Sequence, residues 1–295
     1  MTAVPSQDLR IAVLHEADGY HAAAFCTIFN GGPRRHEFED RDLPVIPPGA
    51  RVTAVWDKDP TAAGTLANTH QVDHVLSDLQ DLPKFADAAV LTSGWDQYHH
   101  LIADDLIDLG VPFYVDKPLA PTLERATEIV NRAAERGVPM FSASAVRYGR
   151  ELLEILPAIR DEGGIQYLVA ASPMGTIVFY GVHAVELAVM TMGAGAKVSY
   201  AGDRDKAHQI TLDWDDSRTA VVLVDHRVKK ITLDIHTAES ARQIEISDEW
   251  YYYTDLMKHF VDMALTGEPP FPPKETIEIF RCLDEARIAS GTTGF

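Results

Sequence analysis

The sequence predicts an α/β protein in two parts: a doubly wound parallel sheet, then an α+β domain built on a mostly antiparallel open sheet. Three observations carry that expectation. Up to residue 144, short apolar strands alternate with helical patterns, as the buried strands of parallel βαβ units do. From Val146 onward strand-like runs dominate, with Ile231, Leu233 and Ile235 alternating against Thr232, Asp234 and His236, which suits a half-buried antiparallel sheet. A chain of 295 residues also exceeds what one compact core usually holds. The expected domains are residues 1–144 and 145–295.

In the first half "RIAVL" opens the sheet, and "HAAAFCTIF" follows as a helix that stops at Asn30, Gly31 and Gly32. The stretch from Asn30 to Ala50 is dense in Gly, Pro and charge and reads as an inserted loop. "RVTAVWD" is the second strand, and a helix beginning near Thr61 leads to "AAVLTSG". Ile102, Leu106 and Leu109 recur at helical spacing before Gly110 and Pro112, a stop signal. "VPFYVDKP" is the next strand. Leu123, Ala126, Val130 and Ala133 share one helix face, and "VPMFSAS" closes the sheet. In the second half "IQYLVAAS", "AKVSYAG", "HQITLDW", "RTAVVLVD", "KKITLDIHT" and "RQIEIS" read as strands. "GVHAVELAVMTMG" is an apolar helix, and a later helix turns Trp250, Tyr253, Met257 and Phe260 inward.

A formal net charge of -18 opposes binding to nucleic acid or to an anionic membrane surface. Cys26 and Cys282 form no metal or redox spacing, no apolar run is long enough to span a bilayer, and the first residues lack a targeting signal. The expectation is a cytoplasmic protein with a small-molecule substrate.

Three stretches carry chemistry. In "VWDKDP", Asp57 ends the second strand, where a Rossmann domain places the acid that hydrogen-bonds the adenosine ribose; a turn or helix-capping Asp before Pro60 is the bland alternative. In "YVDKPLA", Lys117 sits at the C-terminal end of a parallel strand, where open α/β sheets bind ligands, although a lone lysine there is often a solvated loop charge. In "YGVHAVE", His183 and Glu186 share a helix face with Tyr180 just before them. A neutral His183 could take a hydroxyl proton, or it could be a hydrogen-bonded core histidine.

Taken in order, "VWDKDP", "TSGWDQYHHLIADDLIDLGVPFYVDKPLA", "SASAVRYGREL", "YGVHAVELAVMTMG" and the C-terminal "HFVDMALTGEPPFPPKETIEIFRCLDEARIASGTTG" resemble the Gfo/Idh/MocA oxidoreductase family over nearly the whole chain. The resemblance implies an N-terminal Rossmann domain and a C-terminal α+β domain whose open sheet pairs subunits, giving a homodimer or homotetramer. It implies hydride transfer between NAD, with NADP possible, and a carbon–oxygen centre of a sugar or cyclitol. The family's Glu-Lys-Pro maps on Asp116, Lys117 and Pro118, its helix-opening histidine on His99, its Arg-aromatic pair on Arg147 and Tyr148, and its active-site histidine on His183. His183 would then be the general base, Lys117 would stabilise the alkoxide, and Tyr180 would stand in reserve as a catalytic group. Arg147, Tyr148, Tyr180 and His183 would face the substrate. The cofactor side would comprise His15, Ala17, Gly19, Tyr20, Asp57, Ser93, Gly94, Trp95, His99, Asp116 and Lys117.

Two positions depart from that pattern. Many members carry an Asp four residues before the active-site histidine, and here the residue is Phe179. In an ungapped reading His15, Ala17 and Tyr20 stand where glycines usually allow a tight turn around pyrophosphate. Glu16 and Asp18 add negative charge: a carboxylate about 4 Å from a phosphate costs about 1 kcal/mol in water and about 4 at an intermediate dielectric. The acids therefore turn to solvent, or Asp18 caps the helix, or the dinucleotide binds weakly. Metal binding by His15, Glu16, Asp18 and His21, or by His70 and His74, matches no known ligand spacing. A redox-inactive member that binds a sugar-like ligand or a regulatory partner is the alternative function.

Overall fold

The computed structural model describes residues 8–32, 49–92, 98–173, 175–204 and 207–291. These group into two compact units. The first comprises the described residues within 1–119, 128–142 and 253–271, and the second those within 120–127, 143–252 and 272–295.

The first unit is built on a six-stranded sheet in the order β3-β2-β1-β4-β5-β6. Its strands are β1 (Leu9–Leu14), β2 (Ala50–Trp56), β3 (His74–Val75), β4 (Ala88–Leu91), β5 (Phe113–Asp116) and β6 (Met140–Ala143). The pairs β1/β2, β1/β4, β2/β3 and β4/β5 run parallel. This is the order of a doubly wound sheet, and its crevice opens beyond the strand C-termini where the order reverses, between β1 and β4. β4 and β5 are buried at every position, because helices cover both faces of such a sheet. The helices are α1 (Tyr20–Asn30), α2 (Pro60–His70), α3 (Leu82–Phe85), α4 (His99–Leu109) and α5 (Leu123–Arg136), the last running across both units. Gly110 ends α4 in the left-handed conformation, φ 69°, which glycine adopts without a Cβ penalty.

The second unit carries a six-stranded sheet in the order β12-β11-β7-β10-β9-β8. Its strands are β7 (Tyr167–Pro173), β8 (Lys197–Arg204), β9 (Ala207–Asp213), β10 (Thr219–Asp225), β11 (Ile231–His236) and β12 (Ala241–Ile246). All neighbours are antiparallel except β7 and β10, which run parallel. Alternate residues of β10 are buried, and α8 (Gly181–Met192) and α10 (Pro273–Ser290) pack on that side. Short helices α6 (Arg150–Leu153) and α7 (Leu156–Asp161) precede the sheet. α9 (Glu249–Thr266) begins in the second unit and continues in the first, with Trp250, Tyr253, Met257 and Phe260 all buried. Among the described residues no helix is long and apolar enough to cross a membrane.

One expectation from the sequence is corrected here. Asp18 does not cap α1: the cap position is Gly19 and no side chain bonds the helix start. The loop before α1 turns through left-handed residues and delivers the chain to the helix one residue later, so Asp18 stays exposed outside it.

Candidate active-site residues in each unit

In the first unit, the loop after β1 keeps a glycine-like path without glycines. His15 and Glu16 have φ of 70° and 47°, a conformation that disfavours a residue with a Cβ by about 1–2 kcal/mol. Neighbouring strands hold them there. The His15 N–H donates to the Trp56 carbonyl at 2.8 Å, and the Thr92 hydroxyl donates to the His15 carbonyl. The Gly19 N–H donates to Glu16 O at 2.8 Å. Each such bond contributes about 0.5–1.5 kcal/mol, so together they offset the strain. Glycine is required at position 19 instead, since a Cβ there would lie 2.8 Å from Glu16 O. The Glu16 Oε2 sits 3.6 Å from that same Cβ position, at the start of α1. Tyr20 begins α1, with its ring 6.2 Å from that of Tyr253.

Asp57 follows β2 and is buried. Its Oδ2 accepts the Ala17 N–H at 2.7 Å and its Oδ1 accepts the Asp59 N–H at 2.8 Å. Asp59, not Asp57, caps α2 by accepting from the Thr61 N–H. Asp57 therefore pins the β1–α1 loop to the end of β2, and an ionised carboxylate has about four acceptor positions, so further donors can still be met. These features fit a dinucleotide. The first turn of α1 itself contributes no acid and no side-chain cap, as an anion-binding helix end requires, an acid stands at the end of β2, and Glu16 from the preceding loop brings an opposing charge.

Asp116 ends β5 and Lys117 follows it. Asp116 is buried, and its Oδ1 accepts the Lys117 N–H at 2.9 Å and the Tyr114 hydroxyl at 3.3 Å. Its Oδ2 pairs with Nδ1 of His21 in the first turn of α1, and the Tyr253 hydroxyl meets His21 Nε2 at 2.9 Å. Burial pushes the carboxyl up, but His21 and Lys117 outweigh it and hold Asp116 down at about 2. Burial lowers the proton affinity of Lys117, opposed by the charge of Asp116. His99 opens α4, fully buried, with Nε2 2.6 Å from the Pro118 carbonyl. Burial depresses it to about 4, so it is a neutral imidazole donating to the segment that follows Lys117. Ser93, Gly94 and Trp95 lie outside the described residues.

In the second unit, His183 lies in the first turn of α8, half-buried, with Tyr180 at the cap position and the two rings 5.7 Å apart. Gly175 makes room for Tyr180: its φ is 84°, and a Cβ there would lie 2.1 Å from the Tyr180 ring. Phe179 is buried, and its ring lies tilted 5.5 Å from that of Tyr180. The Nδ1 of His183 is 2.6 Å from Ser144 Oγ. The Ser144 N–H donates to Glu186 Oε2 at 2.7 Å, and Arg147 bridges Glu186 at 2.9 Å and Glu275 at 2.6 Å. Arg147 also lies 5.9 Å from the ring of the buried Tyr148. Burial pushes Glu186 up to about 7 despite Arg147.

Three partners escaped the reading of the sequence: Tyr253, His21 as the partner of Asp116, and Ser144. His21 is 95 residues from Asp116 and 232 from Tyr253, and Ser144 is 39 from His183, so no local spacing links them. Among the described residues no group of three or more His, Cys, Asp or Glu is arranged to hold a metal ion. Cys26 and Cys282 are buried thiols, both pushed up by burial.

Residues 36–144 match the Gfo/Idh/MocA group, described as an oxidoreductase family with an NAD-binding Rossmann fold. The match starts after β1 and its loop. Inositol 2-dehydrogenase of Burkholderia multivorans is 33% identical over 119 residues, which are 40% of this chain and 35% of that protein. The chain thus spans about a third of the length of that curated relative. GenD2 from gentamicin A biosynthesis, solved in complex with NAD, aligns with a TM-score of 0.82 and 16% identity over 98% of this chain and 96% of its own. The apo scyllo-inositol dehydrogenase of Lactobacillus casei aligns with a TM-score of 0.79 and 11% identity over 99% of this chain and 98% of its own. At these identities the structural likeness concerns the fold. Over residues 36–144 the chain is thus similar to the NAD-binding Rossmann part of the Gfo/Idh/MocA oxidoreductase family.

Proposed function

We propose that the chain is a nicotinamide-dependent dehydrogenase or reductase acting on a carbon–oxygen centre of a sugar or cyclitol. The observation that carries this reading is Lys117, a buried lysine just past the C-terminal end of β5 whose charge is favoured by the buried carboxylate of Asp116. A buried cation is expensive unless it is paired, and this end of an open parallel sheet is where ligands bind. The bound nicotinamide supplies hydride chemistry. Lys117 balances negative charge on the substrate oxygen, and its lowered proton affinity suits proton exchange with that oxygen. Asp57 and the start of α1 hold the dinucleotide, and Asp57 disfavours a ribose 2′-phosphate, so NAD is preferred over NADP. His183 in the second unit meets a substrate oxygen. On the second sheet the half-buried Val221 lies beside the half-buried Val169, and the half-buried Leu223 beside the buried Ala171, an apolar strip that supports self-association.

The names of inositol dehydrogenases among the relatives support a cyclitol, and a cytoplasmic location goes with that reading. One observation favours the alternative of a redox-inactive binding protein: the Glu16 carboxylate lies at the start of α1. The deciding experiment titrates the protein with NADH and NADPH, following quenching of its tryptophan fluorescence, and assays inositols and sugars with wild type and Lys117→Met. Tighter binding of NADH, and turnover lost in Lys117→Met by about a hundredfold or more, are the expected results. No response to either nucleotide at millimolar concentration would move the assignment to the binding protein.

A further inference from the structure

We propose that Ser144 sets the neutral His183 ring in its Nε2–H tautomer, so that His183 offers substrate a hydrogen-bond donor in place of the general base expected from the sequence. The inference follows from counting the hydrogens of Ser144, which is fully buried. Its hydroxyl oxygen already receives the Val146 N–H at 3.4 Å, the capping bond of the 3-10 turn Ala145–Tyr148. The hydroxyl hydrogen has one acceptor among the described residues, His183 Nδ1 at 2.6 Å. If Nδ1 carried the hydrogen instead, the serine would accept twice and leave its own buried O–H without an acceptor, at a penalty of about 1–3 kcal/mol. Donation from Ser144 gives its buried O–H an acceptor and leaves the hydrogen of the neutral ring on Nε2.

A carboxylate partner would do the opposite. An ionised Asp only accepts, so it forces Nδ1–H and bares the Nε2 lone pair. Phe179 supplies no such acceptor. Of the carboxylates held by Arg147, Glu186 has both oxygens engaged, one by the Ser144 N–H and one by Arg147, and Glu275 is tied to Arg147. Glu186 therefore acts on His183 through Ser144, by fixing its backbone. A neutral imidazole that donates from Nε2 polarises a carbonyl or orders a hydroxyl oxygen without carrying charge. Ser144 is a positioning residue in this scheme. The catalytic consequence rests on His183 meeting substrate as proposed above, but the tautomer does not.

The test is nitrogen NMR of the protein labelled at histidine, with the His183 signals assigned by their loss in His183→Gln. At a pH where the ring is neutral, the expected wild-type spectrum shows Nδ1 bare and Nε2 protonated. In Ser144→Ala, whose fold is checked by its amide spectrum, the preference collapses toward a mixture of both tautomers. A protonated Nδ1 in wild type would overturn the proposal, as would an unchanged Nε2–H tautomer in folded Ser144→Ala. The wild-type spectrum decides the matter even if that variant does not fold. Failure of the NADH titration or of Lys117→Met would instead strike the dehydrogenase reading and leave the tautomer result intact.

Discussion

Asp116 in the first unit and Glu186 in the second are both buried carboxyls, yet their environments drive them in opposite directions, to about 2 and to about 7. Burial raises both, so burial does not explain the contrast. Asp116 faces His21 and Lys117 as positive or proton-donating partners and also accepts the Lys117 N–H and the Tyr114 hydroxyl. Glu186 has one cation, Arg147, and shares it with a second carboxylate, Glu275. The number of cations per carboxylate, rather than depth, decides which acid stays charged. The first unit thereby keeps an anion beside Lys117, while the second keeps a carboxyl that titrates near neutrality.

The largest test of this contrast is Arg147→Met. Removing the shared cation leaves the buried Glu186 without its partner beside the half-buried Glu275, and breaking a buried pair costs about 3–5 kcal/mol. The variant should unfold at a markedly lower denaturant concentration above neutral pH and recover part of the loss in mild acid, where Glu186 takes a proton. Equal loss at both pH values would mean that Arg147 contributes packing rather than charge.

The elements of both sheets were legible because their physics is local. Alternation in β10 and β11 and the uniform apolar runs of β4 and β5 announce one-sided and two-sided burial. β3 is only two residues long and carries no period. The parallel pairing of β7 with β10 depends on the intervening chain passing elsewhere, which no strand pattern records. Asp57, Lys117 and His183 could be singled out because strand ends and helix faces are readable positions. What each is bonded to was not: Asp57 reaches Ala17 and His183 reaches Ser144 across 40 and 39 residues. The turn at His15 and Glu16 was hidden for a different reason, since bonds from β2 and Thr92 impose a backbone that those residue types do not choose.

A smaller effect separates the two acids by the sign of their pH dependence. Glu186 sits above its ordinary 4.5, so the folded chain holds a proton that the unfolded chain has released. Its contribution to stability is complete below about 4.5 and is lost as pH rises through about 7. Asp116 is the mirror case: its contribution is present above its ordinary 3.8 and lost as pH falls through about 2. Glu186→Gln should therefore flatten the fall in thermal midpoint between mild acid and neutrality and leave the fall in stronger acid unchanged. A wild-type slope surviving in Glu186→Gln would place the titrating group elsewhere.

The smallest expected change concerns a third carboxylate, Glu16, which is half-buried and holds a left-handed backbone at φ 47°. Glycine at this position relieves about 1–2 kcal/mol of strain, offset by roughly 0.5–1 kcal/mol of extra freedom in the unfolded chain. Glu16→Gly should therefore leave stability within about 1 kcal/mol of wild type, on the favourable side. Its effect on binding should be larger than its effect on stability. The Glu16 carboxylate stands at the start of α1, where a diphosphate would approach, and removing a like charge about 4 Å away is worth about 1–4 kcal/mol depending on the dielectric. NADH affinity measured by fluorescence titration should rise by about tenfold, with the thermal midpoint nearly fixed. Unchanged affinity in Glu16→Gly would show that this carboxylate turns away when the nucleotide arrives, and the contrast among the three acids would then reduce to the two buried ones.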